Sequence, residues 1–237
     1  MLYNIYASDL PSHNNSQVAQ YADDTAVYSK HYDISKCTST ITEHLRKITQ
    51  WCTKWRIKIN MEKTQYIVFS KRYPVIPPLQ IENRIITPTA NTKYLGIYLD
   101  RRLNWHRHFD FTKGKVHRKL YQLYPLFRTI SLPIKQKVFI YNMYIRAAML
   151  YGAPVWCNAA KEHLHSLQVL QNKIARISTG ADFFSRITFL HSIFDTPYII
   201  DVIKDLCRKL EITIKNNTNP VIRSIEAPVI NQQTSRK

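Results

Sequence analysis

The chain has 237 residues, 45% of them hydrophobic and 12% aromatic, and carries 34 lysines and arginines against 16 acids for a formal net charge of +18. That apolar content is enough to bury a core and excludes a disordered, fibrous or collagen-like polypeptide. So large a cationic excess points to a polyanionic partner, and nucleic acid is the commonest. The longest apolar stretch, Phe139 to Leu150, is interrupted by Asn142 and Arg146, and nothing supplies the roughly 20 apolar residues that span a bilayer. The start, MLYNIYASDL, lacks the basic and apolar segments of a signal peptide. These features predict a soluble intracellular protein. Cys37, Cys52, Cys157 and Cys207 are far apart, which suits neither a zinc site nor a disulfide framework. The pairs His106/His108 and His163/His165 read as surface or phosphate-facing histidines, because residues two apart on a helix diverge.

In chain order, Val18 to Tyr28 (VAQYADDTAVY) is an apolar run cut by two aspartates, which predicts strand, tight turn, strand. Adjacent aspartates at a turn are by themselves only a solvated turn. Flanks that are apolar on both sides predict a hairpin buried on both faces, which would hold Asp23 and Asp24 rigidly outward where a divalent cation is favoured. Asp33 or Ser35 can cap the next element. There Ile41, Leu45, Ile48, Cys52 and Trp55 recur at helical steps, predicting an amphipathic helix that ends near Arg56.

Gln65 to Ser70 alternates as a strand, and the prolines 74, 77 and 78 separate it from a hairpin. In that hairpin Gln80–Ile81 and Ile85–Ile86 flank a turn at Glu82-Asn83-Arg84. A single strand is expected from Tyr94 to Leu99, with Gly96 marking close backbone approach. After Asp100 the pattern becomes helical. Helices are expected at Trp105 to Phe127 and Ile134 to Leu150, split at Ser131-Leu132-Pro133, and then at Lys161 to Ser178 and Tyr198 to Lys215. The tail from Asn216 is expected to fray. From Arg101 to Leu150 eleven basic residues face one acid, Asp110. Ordinary surfaces mix both signs, so this stretch reads as a phosphate-tracking surface, with Lys115, Arg118 and Lys119 at its centre.

Tyr21-Ala22-Asp23-Asp24, inside VAQYADDTAV, resembles the catalytic hairpin of reverse transcriptases in the form typical of jockey-like non-LTR retrotransposons. The order of the segments after it strengthens the likeness. Beyond the helix comes Asn60-Met61-Glu62-Lys63-Thr64, similar to the family's Asn-x-x-Lys-Thr turn. Lys93 to Asp100 (KYLGIYLD) is similar to its primer-grip segment. Tyr151 to Trp156 (YGAPVW) and Leu167 to Asn172 (LQVLQN) resemble its post-thumb region. The resemblance covers about residues 1 to 180.

It implies an α+β fold: a partial polymerase palm (1–100), a basic helical thumb (101–150), a helical C-terminal extension (151–215) and a flexible tail (216–237). It also implies roles. Asp23 would be the principal metal ligand and Asp24 a weaker or orienting one, for Mg2+ or Mn2+ in the intact enzyme. Tyr21 and Ala22 would lie beneath the primer terminus. Lys63 would meet the charge on the departing pyrophosphate. Tyr94, Leu95 and Gly96 would grip the primer. The implied partners are an RNA template, a DNA primer and deoxynucleoside triphosphates, and the implied compartment is the nucleus or cytoplasm.

Two-metal phosphoryl transfer needs carboxylates from more than one element, and the only acid before Asp23 is Asp9. Asp9 lies in a stretch that resembles the piece after the family's Gly-rich segment, so it is not the second ligand. The isolated chain is therefore expected not to polymerise. Two functions compete: a fragment of an RNA-directed DNA polymerase, and a non-enzymatic nucleic-acid-binding remnant that uses the basic helices. Metal binding sensitive to Asp23 separates them.

Overall fold

The computed structural model describes residues 7–72, 75–81 and 84–226. It divides into two compact units, Met1–Leu103 and Asn104–Lys237. The fold is α+β: antiparallel hairpins and a helix in the first unit, helices alone among the described residues of the second.

In the first unit, β1 (Gln17–Tyr21) and β2 (Asp24–Tyr28) pair antiparallel from Gln17↔Tyr28 to Tyr21↔Asp24. A polar link leads to α1 (Ile34–Lys54), whose N-cap Asp33 accepts a hydrogen bond from Ser35 N at 2.9 Å. That bond satisfies one of the first-turn N–H groups that have no partner within the helix. α1 buries Thr38, His44, Ile48 and Cys52 and packs against β3 (Leu79–Ile81), where Leu79 and Ile81 are also buried. His44 is a core histidine. One ring nitrogen lies 2.7 Å from Ser16 Oγ and the other 2.8 Å from Pro11 O, so both polar atoms are matched despite full burial.

Two further hairpins follow, β3 with β4 (Arg84–Ile86) and β5 (Asn91–Tyr94) with β6 (Ile97–Asp100). Each of the three is a separate two-stranded sheet. Several expectations are corrected here. The strand expected at Gln65 to Ser70 does not form. Tyr66 makes one isolated bridge to Pro88, and a ladder cannot propagate past a residue that has no N–H. The strand expected from Tyr94 to Leu99 is instead a hairpin turning at Leu95-Gly96. Both residues have positive φ, +46° and +81°, the geometry a two-residue hairpin turn favours. Gly96 is thus a turn glycine. Arg84, expected in a turn, opens β4 opposite Ile81; Glu82 and Asn83 lie outside the described residues, as does Pro74.

In the second unit, α2 (His106–Arg128) buries Phe109, Val116, Leu120 and Phe127 and packs on α6 (Lys161–Thr179). The helix expected from Ile134 to Leu150 is not uniform. α3 (Ile134–Ile140) passes through π-helical turns (Tyr141–Arg146) into α4 (Ala147–Met149). The wider turns keep Tyr141, Ile145 and Met149 fully buried on one side. α5 (Ala153–Trp156) starts at Gly152, φ +64°, and sets Trp156 into the core with its indole N–H donating to Tyr151 O at 2.9 Å.

α6 ends at Gly180, φ +68°, where the left-handed conformation is cheap for glycine. α7 (Ile187–Phe194) and α8 (Ile199–Lys215) pack back on α6. A short turn of helix, α9 (Pro220–Arg223), capped by the Asn219 side chain, orders the start of a tail expected to fray; residues 227–237 lie outside the described residues.

Gln168, Gln171 and Asn172 are buried on α6. Gln171 donates to Pro197 O at 2.8 Å and accepts from Ile199 N at 2.9 Å. Gln168 donates to Gln171 Oε1 and Asn172 Oδ1, both at 2.9 Å. His191 spans the far side, 2.9 Å from Asn172 Oδ1 and 3.0 Å from Thr196 O. Together these bonds fasten the α7–α8 turn and the start of α8 to α6. Lys137, one of the eleven cations between Arg101 and Leu150, is buried, and its ammonium donates to Ser178 O at 2.9 Å. It caps the last turn of α6 and takes no part in a phosphate surface.

Candidate functional site

Tyr21 and Asp24 close the first hairpin as a cross-strand pair, leaving Ala22 and Asp23 as a two-residue loop. Ala22 has φ +52°, a left-handed conformation that is costly for a residue with a Cβ. Paired residues share a face, so Asp24 stands beside Tyr21, and the Ala19–Ala26 pair is next along the same face. Asp23 sits at the apex. Both carboxylates are exposed, and neither is within ion-pair distance of a cation among the described residues.

The hairpin itself is not buried on both faces as its composition suggested. Tyr21 is 67% exposed, and only Val18, Ala26 and Val27 reach half-burial. Two strands alone have no layer to bury against.

Asn60 to Thr64 explains its own spacing. The Asn60 carboxamide accepts from Glu62 N and Lys63 N at 3.1 and 3.2 Å, and Thr64 donates through both N–H and hydroxyl to Asn60 O at 3.1 and 2.8 Å. The side chain that starts the turn and the one that closes it hold Lys63 outward, where it is exposed. No ion pair joins Lys63 to Asp23 or Asp24. Tyr94, Leu95 and Gly96 form the apex of β5–β6, and all three are half-buried. The fold thus joins Tyr21 to Asp24 and groups Tyr94 with Leu95 and Gly96, while Lys63 makes no ion-paired contact with the hairpin acids.

Hard oxygen donors suit Mg2+ or Mn2+, and Asp23 and Asp24 supply two. No group of three or more His, Cys, Asp or Glu is placed to hold a metal among the described residues. The donor chemistry fits, and the ligand set has two members.

On α2, Lys115 and Arg118 are exposed and have no carboxylate within ion-pair reach among the described residues. Lys119 is half-buried with its ammonium 5.6 Å from the centre of the Tyr144 ring, a cation–π pairing that spacing alone could not reveal. Lys113 is neutralised by Asp110 at 2.8 Å. The histidine pairs are corrected as well. His108 is buried among Trp105, Phe109 and Trp156, and burial drops its pKa to about 4. His163 stacks on Phe109 at 4.8 Å, and its pKa is also lowered, first by desolvation and then by His106.

Residues 1–99 match the family described as reverse transcriptase (RNA-dependent DNA polymerase). Residues 1–99 thus belong to the reverse transcriptase family. The hairpin with Asp23 and Asp24, the Lys63 turn and the β5–β6 apex all fall inside the matched segment. Similarity to curated relatives continues beyond it. The chain is 31% identical to the RNA-directed DNA polymerase from mobile element jockey of Drosophila melanogaster, over 97% of this chain and 26% of the relative. It is 28% identical to the jockey polymerase of Drosophila funebris, over 94% and 25%. It is 31% identical to the probable RNA-directed DNA polymerase from transposon BS of Drosophila melanogaster, over 81% and 22%. The chain spans about a quarter of the length of these relatives. No solved structure gives a significant match. Among the described residues no helix is long and apolar enough to cross a membrane.

Proposed function

We propose that the chain is the second part of the palm, the thumb and a helical extension of an RNA-directed DNA polymerase from a non-LTR retrotransposon. In that enzyme a DNA primer would be extended on an RNA template with deoxynucleoside triphosphates, inside the nucleus or cytoplasm. The observation that carries this reading is the pair Asp23 and Asp24 at the turn of a hairpin within the matched residues.

Asp23, at the apex, would be the main ligand of Mg2+ or Mn2+, and Asp24, held in register by Tyr21, would orient or share it. A bound divalent ion supplies Lewis-acid stabilisation of the charge that develops on the phosphates. Tyr21 and Ala22 would support the primer terminus and Tyr94, Leu95 and Gly96 would grip it. Lys63, held outward by Asn60, would meet the charge on the leaving pyrophosphate. Manganese titration followed by electron paramagnetic resonance tests the metal role. Outer-shell changes alone weaken metal sites roughly 10–100-fold, so Asp23→Asn should weaken Mn2+ at least that much. Equal affinity in the two proteins would sink the assignment. Two carboxylates from one hairpin do not bracket two ions, so the purified chain is expected to show no templated primer extension.

Lys115, Arg118 and Lys119 form the proposed duplex contact. Replacing all three with glutamine should flatten the plot of log binding constant against log salt by about one unit for each phosphate no longer neutralised. An unchanged slope would remove them from the interface.

A further inference from the structure

Between α6 and α7 the chain makes a tight turn closed by Ser185 N donating to Asp182 O at 3.1 Å. The two central positions of that turn are Phe183 and Phe184. Exposed turns favour glycine, asparagine, aspartate and proline, each for a backbone reason, yet these rings are 79% and 93% exposed. They stand nearly perpendicular, 5.7 Å apart. The Arg176 guanidinium lies 5.6 Å from the centre of the Phe183 ring. Beside the turn, an open groove of about 610 Å³ is lined by Arg186, Thr188, Phe189 and Ser192.

The cations here differ from those on α8. There Lys204, Arg208, Lys209 and Lys215 are each tied to an acid three or four residues away. Arg176 and Arg186 have no carboxylate within ion-pair reach among the described residues. The nearby acids, Asp182 and Asp195, make no ion pair with them. The exposed rings of the turn, with the Arg176 guanidinium over one of them, stand next to a groove that offers the Arg186 guanidinium, the Phe189 ring and two hydroxyls, a combination that matches the chemistry of unpaired nucleotides. Rings stack on bases, guanidinium meets phosphate, and hydroxyls reach the sugar. A duplex keeps its bases stacked inside and cannot use exposed rings in this way.

We propose that the Phe183–Phe184 turn and the Arg186–Ser192 groove bind unpaired RNA, a role separate from the duplex contact of Lys115, Arg118 and Lys119. It rests on the reading that this protein handles an RNA template. Fluorescence anisotropy on the purified chain would use a mixed-sequence single-stranded RNA of about 12 nucleotides, within the span of known single-strand sites, the matching DNA strand and a blunt RNA–DNA duplex.

Loss of base stacking predicts that Phe183→Ala/Phe184→Ala weakens single-stranded RNA binding roughly tenfold or more and leaves duplex binding and melting temperature unchanged. Arg186→Gln should flatten the salt dependence on the RNA strand by about one unit. RNA affinity unchanged in both variants overturns the proposal, as does an equal loss on duplex or on single-stranded DNA. A shift in oligomeric state with RNA binding intact also overturns it, in favour of a protein-docking patch. A wild-type chain that binds duplex but not single-stranded RNA defeats this proposal alone. One that binds neither defeats the polymerase reading too.

Discussion

Replacing Gln171 with leucine is expected to lower the unfolding free energy by about 3 kcal/mol, one of the largest single-residue effects in the second unit. The volumes are close, so the cost is polar. Gln171 is fully buried and is the residue through which α6 reaches both Pro197 O and Ile199 N. Without it, Pro197 O is left in the core without its donor, and Gln168 Nε2 loses its acceptor on Gln171. Ile199 N keeps Gln168 Oε1 at 3.0 Å, which limits the damage. Each buried orphan costs on the order of 1–3 kcal/mol. Urea unfolding followed by far-ultraviolet circular dichroism measures the change. A loss below about 0.5 kcal/mol, the scale of an ordinary surface change, would show that the network is not what fastens α8.

Acid sensitivity is the second large effect. Burial lowers His108 from 6.5 to about 4, so the folded chain holds it neutral where the unfolded chain takes up a proton. Between pH 6.5 and about 4 the unfolded state binds more protons, and stability must therefore rise with pH through that window and fall as acid is added. The full span corresponds to about 3 kcal/mol. Above pH 6.5 the contribution is complete, and near pH 4 it is gone. His163 is lowered as well and adds in the same direction. Stability measured at half-unit steps should show this slope, and His108→Gln, which does not titrate, should flatten it. A wild-type profile flat across the whole window would place the His108 ring in water.

Much of this structure is legible in the residues. The helical steps from Ile41 to Cys52, the Asp33 cap and the break at Ser131-Leu132-Pro133 all mark elements that form where periodicity puts them, because local chemistry decides them. The Asp23–Asp24 hairpin is legible for the same reason, since turn residues between apolar runs need no distant partner. Failures arise where distant atoms decide. Gln65 to Ser70 has strand composition, but its neighbour offers Pro88, so no ladder grows. Tyr94 to Leu99 looks continuous until both Leu95 and Gly96 adopt positive φ, which no alternation pattern encodes for a leucine. α7 has no periodic signature in the sequence because Ile187, Phe189 and Ile193 face outward while Leu190 and Phe194 face inward, leaving no polar side to set a period. Lys137 and His108 looked like surface residues by type, and only tertiary packing buries them.

The hairpin β1–β2 is built to self-associate. It is a ribbon of two strands, so its outer margins bear N–H and C=O groups that no third strand of the described residues takes up. Such margins are templates for intermolecular pairing. Concentrating the purified polypeptide should favour ribbon-to-ribbon association and eventual precipitation. Dilute handling, or a lysine placed mid-strand at Ala19 to discourage stacking, is the practical remedy.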